Sequence, residues 1–224
     1  MTNYTVVIVA AGQGKRMNAG RNKQFLMIGE RPLIVHTLQA FTKDKECREI
    51  ILVTNESDEE DMRGLMNRYK LPKIKLVHGG KERQDSVYQG LLAVSDPHLP
   101  VLIHDGARPF VKKENVHELV KRIQEDQAAL LAVPVTDTVK QMKDGKLQTL
   151  NRDQLWAAQT PQGFSYDLIK RAHEKAQKDG FYATDDAALA ESFGYDVSIV
   201  HGSYDNIKIT TPEDLQKATA YVNK

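Results

Sequence analysis

The sequence predicts an α/β fold: a mostly parallel sheet with helices on both faces, plus a projecting β-hairpin. Two observations carry the sheet. Short apolar runs recur at 6–11, 50–53, 74–77, 101–103, 130–135 and 197–200, separated by longer amphipathic stretches. Their near-continuous apolar character implies burial on both faces, as in parallel sheets. The intervening segments carry helix-start signals, so the crossovers are helical and the arrangement is Rossmann-like.

The elements follow in order. After the second run, Ser57 and Glu60 have the spacing of a capping box, predicting a helix through about Tyr69. Thr211-Pro212-Glu213-Asp214 opens the last helix with proline in its first turn. Gly180 and Gly194 each follow a helical stretch, where a left-handed residue closes the helix. The α/β rhythm breaks between Val135 and Arg152, where Asp144-Gly145 marks a hairpin turn. Val139, Met142, Leu147 and Leu150 are its sizeable apolar side chains beyond Val135 at the root. An isolated hairpin is barely stable, so this one leans either on its own domain or on another subunit.

At 224 residues the chain fits one domain, 1–224, with 136–152 as its β-arm. Its 31 basic and 30 acidic residues nearly cancel, giving no reason for the whole molecule to seek nucleic acid or an anionic membrane. Cys47 is alone, which excludes an internal disulfide framework and fits a reducing compartment. There is no signal-peptide pattern and no apolar run of membrane-spanning length, so a cytoplasmic location is expected. The seven histidines lack metal-binding spacing, and no nucleophile elbow is present.

Ligands of open parallel sheets bind beyond the carboxyl ends of the strands. There the first loop reads Ala10-Ala11-Gly12-Gln13-Gly14-Lys15-Arg16-Met17. Gly12 and Gly14 let the backbone approach a polyphosphate. Met17 stands where a dinucleotide fingerprint has its third glycine, and the Gly-Lys-Ser/Thr ending of a kinase loop is missing. A bare Gly-x-Gly is an ordinary turn; the crowding of Lys15, Arg16, Arg21 and Lys23 is what calls for an anion. A later run ends in His104-Asp105-Gly106-Ala107-Arg108-Pro109, where Asp105 suits Mg²⁺ held between one carboxylate and phosphates. Strand alternation turns His104 to the opposite side. Asp185 and Asp186, after Thr184 as a candidate N-cap, are explained by the helix dipole alone.

Taken in order, Ala10 to Arg16, Lys23-Gln24-Phe25, Gly80 to Ser86, His104 to Phe110, Val135 to Lys140, Gln159-Thr160-Pro161-Gln162, Thr184 to Ala187 and Asp205 to Thr210 resemble the 2-C-methyl-D-erythritol 4-phosphate cytidylyltransferases. The resemblance spans nearly the whole chain. It implies transfer of a cytidylyl group from CTP to a sugar-alcohol phosphate, with Mg²⁺, by a homodimer. It further implies that Arg16 and Lys23 stabilise the transition state, and that Arg152 and Lys208 position the acceptor phosphate. Ala10, Ala11, Gly12, Gly14, Gly80 and Ser86 hold the nucleotide, Asp105 the metal, and Arg108, Thr138 and Thr160 the acceptor. The arm would carry Thr138 and Arg152 to the neighbouring subunit. Competing readings are a ribitol 5-phosphate cytidylyltransferase, a sugar-nucleotide enzyme using UTP or GTP, and a non-catalytic nucleotide-binding regulator.

Overall fold

The computed structural model describes residues 2–12 and 22–222. In chain order the elements are β1 (Tyr4–Val9), β2 (Met27–Ile28), β3 (Arg31–Pro32), α1 (Leu33–Thr42), β4 (Cys47–Thr54), α2 (Glu59–Arg68), β5 (Ile74–His78), α3 (Arg83–Leu92), β6 (Val101–Asp105) and α4 (Lys113–Asp126). They continue with β7 (Ala128–Pro134), β8 (Lys140–Lys143), β9 (Lys146–Thr149), β10 (Trp156–Phe164), α5 (Tyr166–Asp179), α6 (Asp186–Ser192), β11 (Ser198–His201) and α7 (Pro212–Val222).

Seven strands form one sheet in the order β11-β7-β10-β6-β1-β4-β5. Every neighbouring pair is parallel except those of β10, which runs antiparallel to β6 and β7. Side-chain alternation splits the apolar runs between two cores. Val6, Ile8, Ile50, Leu52 and Leu102 pack with Leu38, Phe41, Met62, Leu119 and Ile123 of α1, α2 and α4. Val7, Ile51, Val53, Val101 and Ile103 pack with Val87, Leu91, Leu168, Ile169 and Ala190 of α3, α5 and α6. Both faces being covered is why these strands lack polar alternation.

β10 breaks the expected pattern. Its Gln159, Thr160 and Gln162 are polar yet buried, and they stay inside because each has partners. Gln162 donates to Asp185 Oδ2 (2.9 Å) and accepts from the Ala187 amide (2.8 Å), while Gln159 donates to the Ser203 carbonyl (2.9 Å).

The helix ends divide. At α7, Thr211 Oγ1 accepts from the Asp214 amide (3.2 Å) and Asp214 Oδ2 from the Thr211 amide (3.0 Å), as the sequence suggested. Gly180 and Gly194 adopt φ of 62° and 84°. The capping box expected at Ser57 and Glu60 does not form. A 3₁₀ turn over Glu56–Asp58 moves the helix start to Glu59. Asp58 at the junction accepts instead from the side-chain amides of Asn22 (2.7 Å) and Asn55 (3.2 Å), tying this turn to the chain after β1.

β8 and β9 form a separate two-stranded ladder from Lys140↔Thr149 to Lys143↔Lys146. Asp144 and Gly145 have φ of 49° and 74°, the left-handed pair a tight two-residue hairpin requires. Every residue of both strands is exposed, Met142 at 64% and Leu147 at 69%. The hairpin therefore does not lean on its own sheet.

Candidate active site

A cleft of about 710 Å³ opens at the carboxyl ends of β1, β5 and β6, lined by Val9, Ala11, Gly12, Lys23, Gln24, Asn55, the Gly80–Arg83 loop, Ser86, Asp105, Ala107 and Lys208. Its first wall follows β1. The Ala10 amide still donates to Val53 (2.7 Å), and its carbonyl accepts from Asn22 Nδ2 (3.2 Å), so Ala10 is buried behind the wall rather than on it. Asn22 also accepts from the Gln24 amide (3.1 Å), fixing the 3₁₀ turn that carries Lys23 to the rim, where its ammonium donates to the Ile209 carbonyl (3.0 Å). Gly14 and Arg16, expected at this wall, lie outside the described residues, as do Lys15 and Arg21.

The second wall is the loop into α3. The Gly80 amide donates to Ser86 Oγ (3.1 Å), and the Ser86 hydroxyl donates to the Glu82 carbonyl (3.0 Å), folding the loop back on the helix. A Cβ on Gly80 would come within 2.4 Å of Asp85 Cβ, so this close approach requires glycine. Gly80 and Ser86 thereby bring a main-chain stretch and a small side chain to the cleft, beside the longer Lys81, Glu82 and Arg83.

Asp105 forms the floor, 7% exposed. Its carboxylate lies 2.7 Å from Lys208 Nζ, 3.5 Å from Arg83 Nε and 3.8 Å from Arg108 Nε. Burial alone would raise its pKa, but the charges of Arg83, Lys208 and Arg108 outweigh that and hold it well below the usual carboxylate range. From behind, the Asp105 amide donates to Thr160 Oγ1 (3.0 Å). That hydroxyl in turn donates to His104 Nδ1 (3.1 Å), because His104 Nε2 gives its proton to the Arg108 carbonyl (3.0 Å). Burial pushes the His104 pKa down to about 4 despite the neighbouring carbonyl and the Asp105 charge, so the ring is neutral and both bonds persist.

Thr160, which the resemblance assigns to the acceptor, is not among the cleft-lining residues, and its hydroxyl sits between the Asp105 amide and His104 Nδ1. Arg108 likewise does not line the cleft: it is nearly buried, and its Nη1 donates to the Asn206 carbonyl (2.6 Å). Thr138 and Arg152 are exposed at the base of the arm, where Arg152 donates to the Thr136 carbonyl (2.9 Å), and neither reaches the cleft of its own chain.

The model of the 2-C-methyl-D-erythritol 4-phosphate cytidylyltransferase family matches residues 4–224. The chain belongs to this family. A 2-C-methyl-D-erythritol 4-phosphate cytidylyltransferase of Halalkalibacterium halodurans is 52% identical over 219 residues, covering 97% of this chain and 96% of that one. Among solved structures, the 4-diphosphocytidyl-2C-methyl-D-erythritol synthase of Anaerococcus prevotii superposes with a TM-score of 0.88 at 36% identity, covering 100% of this chain and 97% of that one. The 2-C-methyl-D-erythritol 4-phosphate cytidylyltransferase of Thermus thermophilus does so with 0.84 at 35%, covering 100% of each.

Within the family's frame, two site residues escaped the sequence reading. Arg83 lines the cleft and reaches Asp186 Oδ2 at 2.7 Å. Asp186, expected only to complement a helix dipole, is 1% exposed, and the capping role falls to Asp185, whose Oδ1 accepts from the Ala188 amide (2.8 Å). No local signal marks that pairing, because the partners lie 103 positions apart.

Proposed function

We propose that the chain joins CTP and 2-C-methyl-D-erythritol 4-phosphate, giving 4-diphosphocytidyl-2-C-methyl-D-erythritol and pyrophosphate in non-mevalonate isoprenoid biosynthesis. The observation that carries this reading is the family match over residues 4–224, and it is supported by one cleft lined by Lys23, Asp105, Lys208 and residues of the Gly80–Ser86 loop. The relatives support the methylerythritol reading and lend nothing to the ribitol phosphate or regulator alternatives.

An oxygen of the acceptor phosphate attacks the α-phosphorus of CTP, the bond to the bridging β-phosphate oxygen breaks, and pyrophosphate leaves with that electron pair. With a second pKa near ~6, the acceptor phosphate is largely dianionic at neutral pH and needs no general base. A neutral, buried His104 is consistent with this. Two anions must be brought together, so cations are required on both sides of the reacting centre. Lys208, fixed by Asp105 at 2.7 Å, and Arg152, delivered by the arm of a second subunit, hold the nucleophile. Lys23 and Arg16 stabilise the charge that develops on the electrophile and leaving group. Gly80, Ser86, Ala11 and Gly12 hold the nucleotide.

Mg²⁺ belongs to the same proposal. Among the described residues no three acidic, histidine or cysteine side chains converge as a complete metal cage. A single carboxylate that stays ionised, Asp105, fits an ion that takes its remaining ligands from water and phosphates. When bound, it would neutralise triphosphate charge. Homodimerisation through the exposed hairpin and a cytoplasmic location complete the reading. Among the described residues no helix is long and apolar enough to cross a membrane.

The test is pyrophosphate release by the purified protein with each of the four nucleoside triphosphates, and with methylerythritol or ribitol phosphate as acceptor. CTP with methylerythritol phosphate is expected to turn over fastest. Turnover of ribitol phosphate alone, or indifference to the base, would overturn the proposal.

A further inference from the structure

Arg83 stands at the first position of α3, where the helix N-terminus favours anions. It lines the same cleft as Lys23 and Lys208, and shares Asp105 with Lys208. Its guanidinium is gripped from two sides by carboxylates on different elements: Nη2 donates to Asp186 Oδ2 at 2.7 Å, and Nε approaches Asp105 Oδ1 at 3.5 Å. The Arg83 side chain remains 31% exposed, whereas that of Asp186 is 2% exposed, so the carboxylate is the buried anchor and the arginine is the member of the pair that lines the cleft.

Asp186 is itself held in place. It begins α6 immediately after the Asp185 cap, and His173 Nε2 of α5 lies 3.8 Å away, that ring stacked against Tyr88 of α3. A carboxylate buried this deeply is costly unless paired. Its principal partner is an arginine that leaves the core for the active-site wall. Arginine presents five N–H groups in a planar fork, and the two carboxylate contacts leave others for an oxyanion. Between them the carboxylates remove most of the side chain's rotational freedom before any ligand arrives, which lowers the entropy cost of binding.

We propose that Arg83 is a phosphate-binding residue that grips the pyrophosphate portion of the nucleoside triphosphate, and that Asp186 is the positioning residue that aims it. This rests on the cytidylyltransferase reading and adds to it a cation and a supporting carboxylate that the sequence motifs left without a role. Because the contact falls on the phosphates, it is blind to the base and to the acceptor.

The probe is inorganic pyrophosphate, used as a product inhibitor of the full-length enzyme, with cytidine monophosphate as the control ligand. Arg83→Gln is expected to weaken inhibition by pyrophosphate about tenfold and to raise KM for CTP, leaving inhibition by cytidine monophosphate within about twofold. Asp186→Asn, which keeps an oxygen for Arg83 but loses the charge, is expected to fall between wild type and Arg83→Gln. Arg83→Lys should not restore pyrophosphate binding, because an ammonium cannot bridge Asp186 and a phosphate as the fork does. Thermal unfolding of each variant shows whether it is folded. A merely structural role would lower the melting temperature and leave the ratio of the two inhibition constants unchanged, and that result overturns the proposal. Equal weakening for pyrophosphate and cytidine monophosphate overturns it as well. Absence of CTP turnover by the wild-type protein would refute the underlying reading instead, so the two failures are distinguishable.

Discussion

His104 lies fully buried on β6, with the Phe41 ring against it edge-on at 5.1 Å and the Thr160 hydroxyl at its Nδ1. Burial lowers its pKa from 6.5 to about 4, against smaller upward pulls from the Arg108 carbonyl and the Asp105 charge. In the unfolded chain the same imidazole titrates near ~6.5, so between these values the unfolded state binds a proton that the native state refuses. Its contribution to stability is therefore fully present above the unfolded value and is lost as the pH falls toward the folded one. With a folded value of about 4, the two protonation equilibria give a loss of about 2 kcal/mol between roughly pH 7 and pH 5 from this residue alone. For a chain of this size that corresponds to ~4–8 °C in melting temperature. The perturbation is His104→Gln, which offers an acceptor to Thr160 and a donor to the Arg108 carbonyl but does not titrate. Urea unfolding of both proteins at the two pH values is the assay. Wild type should lose about 2 kcal/mol more than the variant. His36, also lowered by burial, is common to both and cancels in the difference. Equal losses would refute the reasoning.

Asp186→Ala leaves Arg83 without its closest partner and should cost about 3 kcal/mol, the low end for a buried pair because Arg83 keeps Asp105 and is 31% exposed. Denaturant unfolding would check it, and a cost below about 1 kcal/mol would contradict the burial argument. Lys23→Ala should reduce kcat by about 10²-fold or more while shifting the melting temperature by only about 2 °C, since a cation on a rim turn has little core to lose. Retained turnover would remove Lys23 from the mechanism. Met142→Glu with Leu147→Glu places charges on the two most exposed apolar residues of the arm. The double variant should sediment as a monomer and lose turnover; a fully active dimer would rule out the arm as the interface.

Much of the sheet was readable because its strands are buried on both faces, and Val6 to Val9 or Ile50 to Val53 leave few other ways to hide such runs. β10 was not readable. Gln159, Thr160 and Gln162 resemble loop residues until Ser203, His104 and Asp185 supply their hydrogen bonds. Asp105 follows from the apolar run that ends beside it, and Lys208 from the resemblance carried by Asp205 to Thr210. The support beneath them does not: Thr160 reaches Asp105 across 55 positions, and Asp186 reaches Arg83 across 103.

The sequence by itself determined the parallel core, the Asp144-Gly145 turn and the chemical types gathered at the strand ends, because apolar periodicity and turn stereochemistry are local properties. Tertiary structure alone decided which of those residues face the cleft. It set the Thr160 hydroxyl under Asp105, placed Arg108 against Asn206, and left the arm exposed with Arg152 away from its own cleft. Its reason is that a buried charge or hydroxyl must find a partner, and that partner is chosen by the packing of elements far apart in the chain.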